Sequence, residues 1–192
     1  DTFVFDALVH HKINTDGLEF DVVFADISQL NKWALDGKLD ITKLSYNAFM
    51  HCVEKYVLLD SGSALGRNCG PLLIKKEETK LSKNSIIAIP GKYTTANMLL
   101  YIAYPYYKNK IELLFSDIEE KVLNDEVDAG LIIHENRFTY HEKGLVKVKD
   151  LGEFWEERTL LPIPLGGVVI KRNHRFDIQK KVERVLRESV EY

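Results

Sequence analysis

The segment Ser85-Ile86-Ile87-Ala88-Ile89-Pro90-Gly91-Lys92-Tyr93-Thr94-Thr95-Ala96 changes character twice within 12 residues. A short isoleucine-rich run stops at Pro90-Gly91, and a threonine pair then opens an apolar pattern that lasts to about Tyr104, just before Pro105. By length and β-branching the run is a strand. Thr94 or Thr95 caps a helix, which Pro105 discourages from continuing. Strand, turn and helix in that order form half of a βαβ unit, so a largely parallel sheet with helices on both faces is expected.

The same alternation continues downstream. Ile111 to Phe115 reads as a strand, Ser116-x-x-Glu119 as a capping box opening a helix, and Ala129 to Ile133 as a strand that delivers His134. Leu145 to Val148 is another strand. Leu160 to Gly167, with Pro162 and Pro164, is a crossing segment before a last strand at Val168 to Ile170. Upstream, Asp1 can cap a helix bearing Phe3, Val4, Ala7 and Leu8 on one face. Asp21 to Phe24 reads as a strand, Asp26 to Asp36 as a helix stopped by Gly37, and Leu39 to Ile41 as a short strand. Ser45 caps a helix through Cys52. Strands at Tyr56 to Leu59 and Leu72 to Ile74 flank the glycine-rich loop Asp60 to Pro71, and Asp177 to Tyr192 is an amphipathic helix. Two βα series, joined near Ser85 and again near Pro162, imply two lobes with a cleft: 1–84 plus 167–192, and 85–166. In such folds ligands sit at strand carboxyl ends.

The 192 residues are 45% hydrophobic and 29% charged with a net charge of −3, as expected of a soluble globular protein. No basic field favours nucleic acid or an anionic membrane, and no apolar run approaches the roughly 20 residues that span a bilayer. Two cysteines, Cys52 and Cys69, stand outside any CxxC pattern, which suits a reducing cytoplasm and offers no zinc site. The chain starts at Asp1 and stops inside a helical pattern, so both ends read as cut.

His134 is the residue around which chemistry is expected. A histidine at a strand end is either a proton carrier suited to neutral pH or a plain hydrogen-bonding terminus. A metal is not expected, because His134-Glu135 lacks a second histidine four positions after the first; His141 comes seven later. The glycines at 62, 66 and 70 match neither a P-loop nor a dinucleotide fingerprint and are read as turns or close backbone approaches. Helix starts near Asp1, Ser45 and Thr94-Thr95 present free N–H groups, which fits an anionic small-molecule ligand.

At this point the residues carry a family resemblance. His134-Glu135-Asn136-Arg137-Phe138-Thr139-Tyr140, Asp1-Thr2-Phe3, Leu30-Asn31-Lys32-Trp33-Ala34, Thr42-Lys43-Leu44-Ser45-Tyr46 and Asp60-Ser61-Gly62-Ser63-Ala64-Leu65-Gly66 closely resemble the 1,4-dihydroxy-6-naphthoate synthase family. So do Pro90-Gly91-Lys92-Tyr93-Thr94-Thr95-Ala96, Trp155-Glu156-Glu157-Arg158 and Leu161-Pro162-Ile163-Pro164-Leu165-Gly166-Gly167, in collinear order over essentially the whole chain. The resemblance implies a two-lobed α/β fold of the periplasmic binding protein type 2 kind, with mixed, mainly parallel sheets and a central cleft. It further implies a cytoplasmic lyase of the futalosine route to menaquinone, splitting cyclic dehypoxanthine futalosine to 1,4-dihydroxy-6-naphthoate without a cofactor. By the same resemblance His134 is the general base. Lys43, Leu44, Ser45, Thr95 and Ala96 contact substrate, joined by Asn31 and Asp1, while Arg137 pairs with a carboxylate. The family pattern also has a strand before Asp1 and a helical segment after Tyr192. The alternatives are a solute-binding protein for a small carboxylate and the related chorismate dehydratase.

Overall fold

The structure, a computed structural model, describes residues 2–192, with side chains from residue 4. In chain order the elements are α1 (Thr2–Val9), α2 (Ile27–Asp36), β1 (Ile41–Ser45), α3 (Tyr46–Met50), β2 (Tyr56–Leu58), β3 (Ala64–Gly66), β4 (Leu72–Lys76), β5 (Ile87–Ile89) and α4 (Thr95–Ala103). There follow β6 (Lys110–Glu112), α5 (Ile118–Leu123), β7 (Ala129–Ile132), α6 (Asn136–Thr139), a 3-10 turn (Tyr140–Lys143), β8 (Leu145–Asp150), α7 (Leu151–Thr159), β9 (Ile163–Lys171) and α8 (Phe176–Glu191). They form two units, Asp1–Ala64 with Gly166–Tyr192, and Leu65–Leu165. Among the described residues no helix is long and apolar enough to cross a membrane.

In the first unit β9 is central. It pairs antiparallel with β1, Ile41 facing Ile170 and Ser45 facing Gly166, and with β2, Tyr56 facing Lys171. Leu59, Val168, Ile170, Val182 and Leu186 form its core, with Val4 and Phe5 of α1 packed against them. α8 buries Val182, Val185, Leu186 and Ser189, as its amphipathic sequence predicts. Gly62 is needed here: its φ is +78° and a Cβ would come within 2.9 Å of Val168. The α2 boundaries follow their residues. Asp26 Oδ1 accepts from the N–H groups of Ser28 (2.8 Å) and Gln29 (3.2 Å), and Gly37 ends the helix in the left-handed region.

The second unit holds a five-stranded sheet in the order β6-β5-β7-β4-β8. β5 runs parallel to β6 and β7, whereas β4 is antiparallel to β7 and β8. Alternate residues feed opposite faces. Leu73, Ile87, Ile89 and Leu131 meet Leu99, Leu100 and Leu151 on one side; Leu72, Ile74, Ala88 and Ile132 meet Ile118 and Val122 on the other. Both faces are therefore covered, as the alternating pattern requires.

Several sequence expectations change. Residues 21–24 form no strand, and Val22, Val23 and Phe24 are exposed; a lone extended run leaves its backbone groups unpaired, so apolar content alone does not make a strand. In place of one largely parallel sheet, the five-stranded sheet is mixed, as the two-lobed fold class has it: β5 pairs parallel with β6 and β7, while β4 pairs antiparallel with β7 and β8. Residues 65–84 lie in the second unit rather than the first, because β4 is hydrogen-bonded between β7 and β8. The expected crossing segment is the start of β9. The β1 and β2 ladders begin beyond it, at Gly166 and Val169. The glycine-rich loop serves packing: a Cβ on Gly70 would lie 2.4 Å from Gly152 Cα.

Candidate active site

Within the second unit the parallel strands carry their carboxyl ends to one edge of the sheet. β7 ends at Ile132, and His134 follows in the left-handed conformation, φ +59°, with its side chain exposed. Its ring meets Phe115 edge to face, the centroids 5.1 Å apart and the planes at 74°. Phe115 follows β6, and β5 lies between β6 and β7. The two rings therefore meet over the carboxyl end of β5, the strand that leads into α4. Sequence reading treated Phe115 only as a strand residue; the register of three parallel strands is what brings it to His134.

Thr94 caps α4, its Oγ1 donating to Gly91 O (2.8 Å) and accepting from Asn97 N–H (3.2 Å). Thr95 and Ala96 are buried. The Thr95 hydroxyl is shared between the Pro164 and Leu165 carbonyls, at 3.1 and 3.0 Å. Its remaining resource for a ligand is the backbone N–H, one of those that a helix start leaves without an intrahelical partner. His134 and the Thr95-Ala96 helix start thus share one sheet edge.

The segment after His134 is tied down. Arg137 donates through Nη1 to Gly70 O and through Nη2 to Asp150 Oδ2 (3.0 Å). Asp150 is buried, and its other oxygen caps α7 by accepting from Gly152 N–H (2.8 Å) and Glu153 N–H (3.1 Å). Arg137 is a structural partner of a carboxylate, as the sequence reading had it.

The first unit gathers Asn31, Lys43, Leu44 and Ser45. Asn31 and Ser45 are buried and satisfy one another: Asn31 Nδ2 donates to Ser45 Oγ (3.0 Å), and Ser45 N–H donates to Asn31 Oδ1 (2.9 Å). Leu44 is fully buried, so only its backbone can face a ligand, and that backbone lies so close to β9 that a Cβ on Gly166 would come within 2.5 Å of its carbonyl oxygen. Burial holds the Lys43 ammonium below the ordinary lysine range. Ser45 precedes α3 but makes no side-chain cap, since its hydroxyl is taken by Asn31. The neighbouring Tyr46 Oη and Ser63 Oγ are 2.8 Å apart, next to Gly167, a polar pair whose partners are too far apart in sequence to be read as one. Asp1 lies outside the described residues.

Comparison with known proteins gives the family. The model of the menaquinone biosynthesis family matches residues 1–192. The 1,4-dihydroxy-6-naphthoate synthase of Thermus thermophilus is 43% identical over 192 residues, covering 100% of this chain and 70% of the relative. The Streptomyces coelicolor enzyme of the same name is 39% identical, covering 99% and 69%. The crystal structure of an Archaeoglobus fulgidus protein superimposes with a TM-score of 0.91 at 40% identity, over 98% of this chain and 70% of that one. The periplasmic aliphatic sulphonate binding protein of Escherichia coli shares the fold at a TM-score of 0.67 and 12% identity, over 98% and 68%. The fold is that of the solute-binding proteins, and the chain belongs to the menaquinone biosynthesis family, among enzymes named 1,4-dihydroxy-6-naphthoate synthase.

Proposed function

We propose that this chain is a carbon–carbon lyase that converts cyclic dehypoxanthine futalosine to 1,4-dihydroxy-6-naphthoate in the cytoplasm, with His134 as general base. One observation carries the catalytic part: an exposed imidazole at the carboxyl end of a parallel strand, beside a helix start, in a family of menaquinone enzymes. Neutral imidazole takes the substrate proton, and the electron pair left behind starts the carbon–carbon cleavage. The step as written needs no cofactor. Helix-start N–H groups at Thr95 and Ala96 receive oxygens of the substrate. Lys43, with the Leu44 backbone and Ser45 held by Asn31, serves its anionic part, and Asp1 completes the set.

The solute-binding fold supports a second reading, capture of a small carboxylate without chemistry. Incubation with cyclic dehypoxanthine futalosine, and separately with chorismate, separates the possibilities by product absorbance. Naphthoate formation from the first is expected. Binding without product would favour the solute-binding reading, and conversion of chorismate would identify the dehydratase.

A further inference from the structure

We infer that Glu119 is a positioning residue for His134, holding in place the loop on which the imidazole is presented; the inference rests on the reading of His134 as the base. The Ser116-x-x-Glu119 pattern predicts that Glu119 folds back to cap α5. Instead the helix begins after Asp117 without a side-chain cap, and the Glu119 carboxylate turns to the loop after His134. It is 1% exposed. Its Oε2 accepts from Asn136 Nδ2 at 2.7 Å and from Lys143 Nζ at 2.6 Å, while Oε1 is buried without a hydrogen-bond partner.

Stability alone does not account for this arrangement. An ion pair to a half-exposed ammonium such as Lys143 contributes little net stability, and an unpartnered buried oxygen detracts from it. What the arrangement does is geometric. Asn136 stands two residues after His134 and opens α6; Lys143 closes the 3-10 turn that follows. One carboxylate oxygen therefore fixes both ends of the 136–143 stretch to α5. That helix is seated directly on the strand that carries His134, since a Cβ on Gly130 of β7 would lie 2.4 Å from Ile118 Cγ2. On its other side the stretch is held by Arg137 through Asp150 and Gly70. His134 itself has φ +59°, a conformation that a non-glycine residue keeps only when its surroundings impose it. Glu119 supplies one of the restraints on the loop that follows it.

The test compares Glu119→Gln and Asn136→Ala with the parent chain by the carbon–proton signals of the histidine rings, the His134 signal being assigned through His134→Asn. Glu119→Gln is expected to shift or broaden the His134 signal while leaving those of His10 and His174, in the other unit, in place. In turnover it is expected to lower kcat roughly tenfold to a hundredfold with KM within about twofold, the size expected for a displaced catalytic group. Asn136→Ala is expected to act in the same direction to a smaller extent, and decides the matter if Glu119→Gln does not fold. His134 signals that superimpose on the parent in the folded variants, or unchanged kcat, would overturn the inference. If the parent chain itself turns nothing over, the base assignment fails, and the ring signals still judge whether Glu119 fixes His134.

Discussion

His134 occupies backbone territory that favours glycine or asparagine. This decides how its role is best tested. Alanine there removes the imidazole and also a residue that tolerates the left-handed region, at roughly 1 kcal/mol of added strain. Asparagine keeps the backbone preference and removes the base. His134→Asn is therefore expected to unfold within about 1 kcal/mol of the parent, as urea denaturation would show. Asn31 makes a contrasting case. Asn31→Ala leaves the buried Ser45 N–H and hydroxyl without their partner, so a loss of about 1–3 kcal/mol is expected by the same measurement, together with weaker substrate binding. The strand-end position of His134 was legible from the apolar run that precedes it. The Asn31–Ser45 pair was not, because its hydrogen bonds join residues that only α2 and β1 bring together.

At the scale of elements, the approach of α5 to β7 is a tight constraint beside the site. Gly130→Ala must push Ile118 aside, and a destabilisation of about 1–3 kcal/mol is expected in thermal or urea unfolding. Asp150 serves two elements, capping α7 and pairing with Arg137. Asp150→Ala loses the cap and leaves the guanidinium, whose side chain is 16% exposed, without its carboxylate. A loss of about 3 kcal/mol or more is expected, against a much smaller one for Asp150→Asn. The βα unit from Ser85 to Tyr104 was readable because period, cap and proline agree on one answer. The Asp21–Phe24 run misled because branching and apolarity describe a strand's side chains, while a strand also needs a neighbour. The Ser116–Glu119 pattern misled because a tertiary partner, Asn136 with Lys143, outcompeted the local backbone for the carboxylate.

At the scale of the whole molecule, the two-unit α/β organisation followed from alternation, whereas the boundary at 64–65 depended on which sheet β4 joins, a long-range choice that local pattern does not encode. The first unit also carries a pH dependence. Tyr56 is fully buried and donates to Leu39 O at 2.7 Å; burial, with Cys52 and Asp40 nearby, pushes its phenol up to about 12. The neutral phenol is the stabilising form. Its contribution is thus complete below the ordinary tyrosine value and is lost as pH rises towards about 12. Unfolding free energy is expected to fall by roughly 2–3 kcal/mol across that window, and Tyr56→Phe should flatten the dependence.

The central claim is that His134 removes the proton that starts the cleavage. Conversion of cyclic dehypoxanthine futalosine to 1,4-dihydroxy-6-naphthoate by the parent chain and by His134→Asn, at equal folded concentration and saturating substrate, tests it most directly. Loss of a positioned general base is expected to lower kcat roughly a hundredfold to ten-thousandfold while substrate still binds. Turnover by His134→Asn at the parent rate would contradict it.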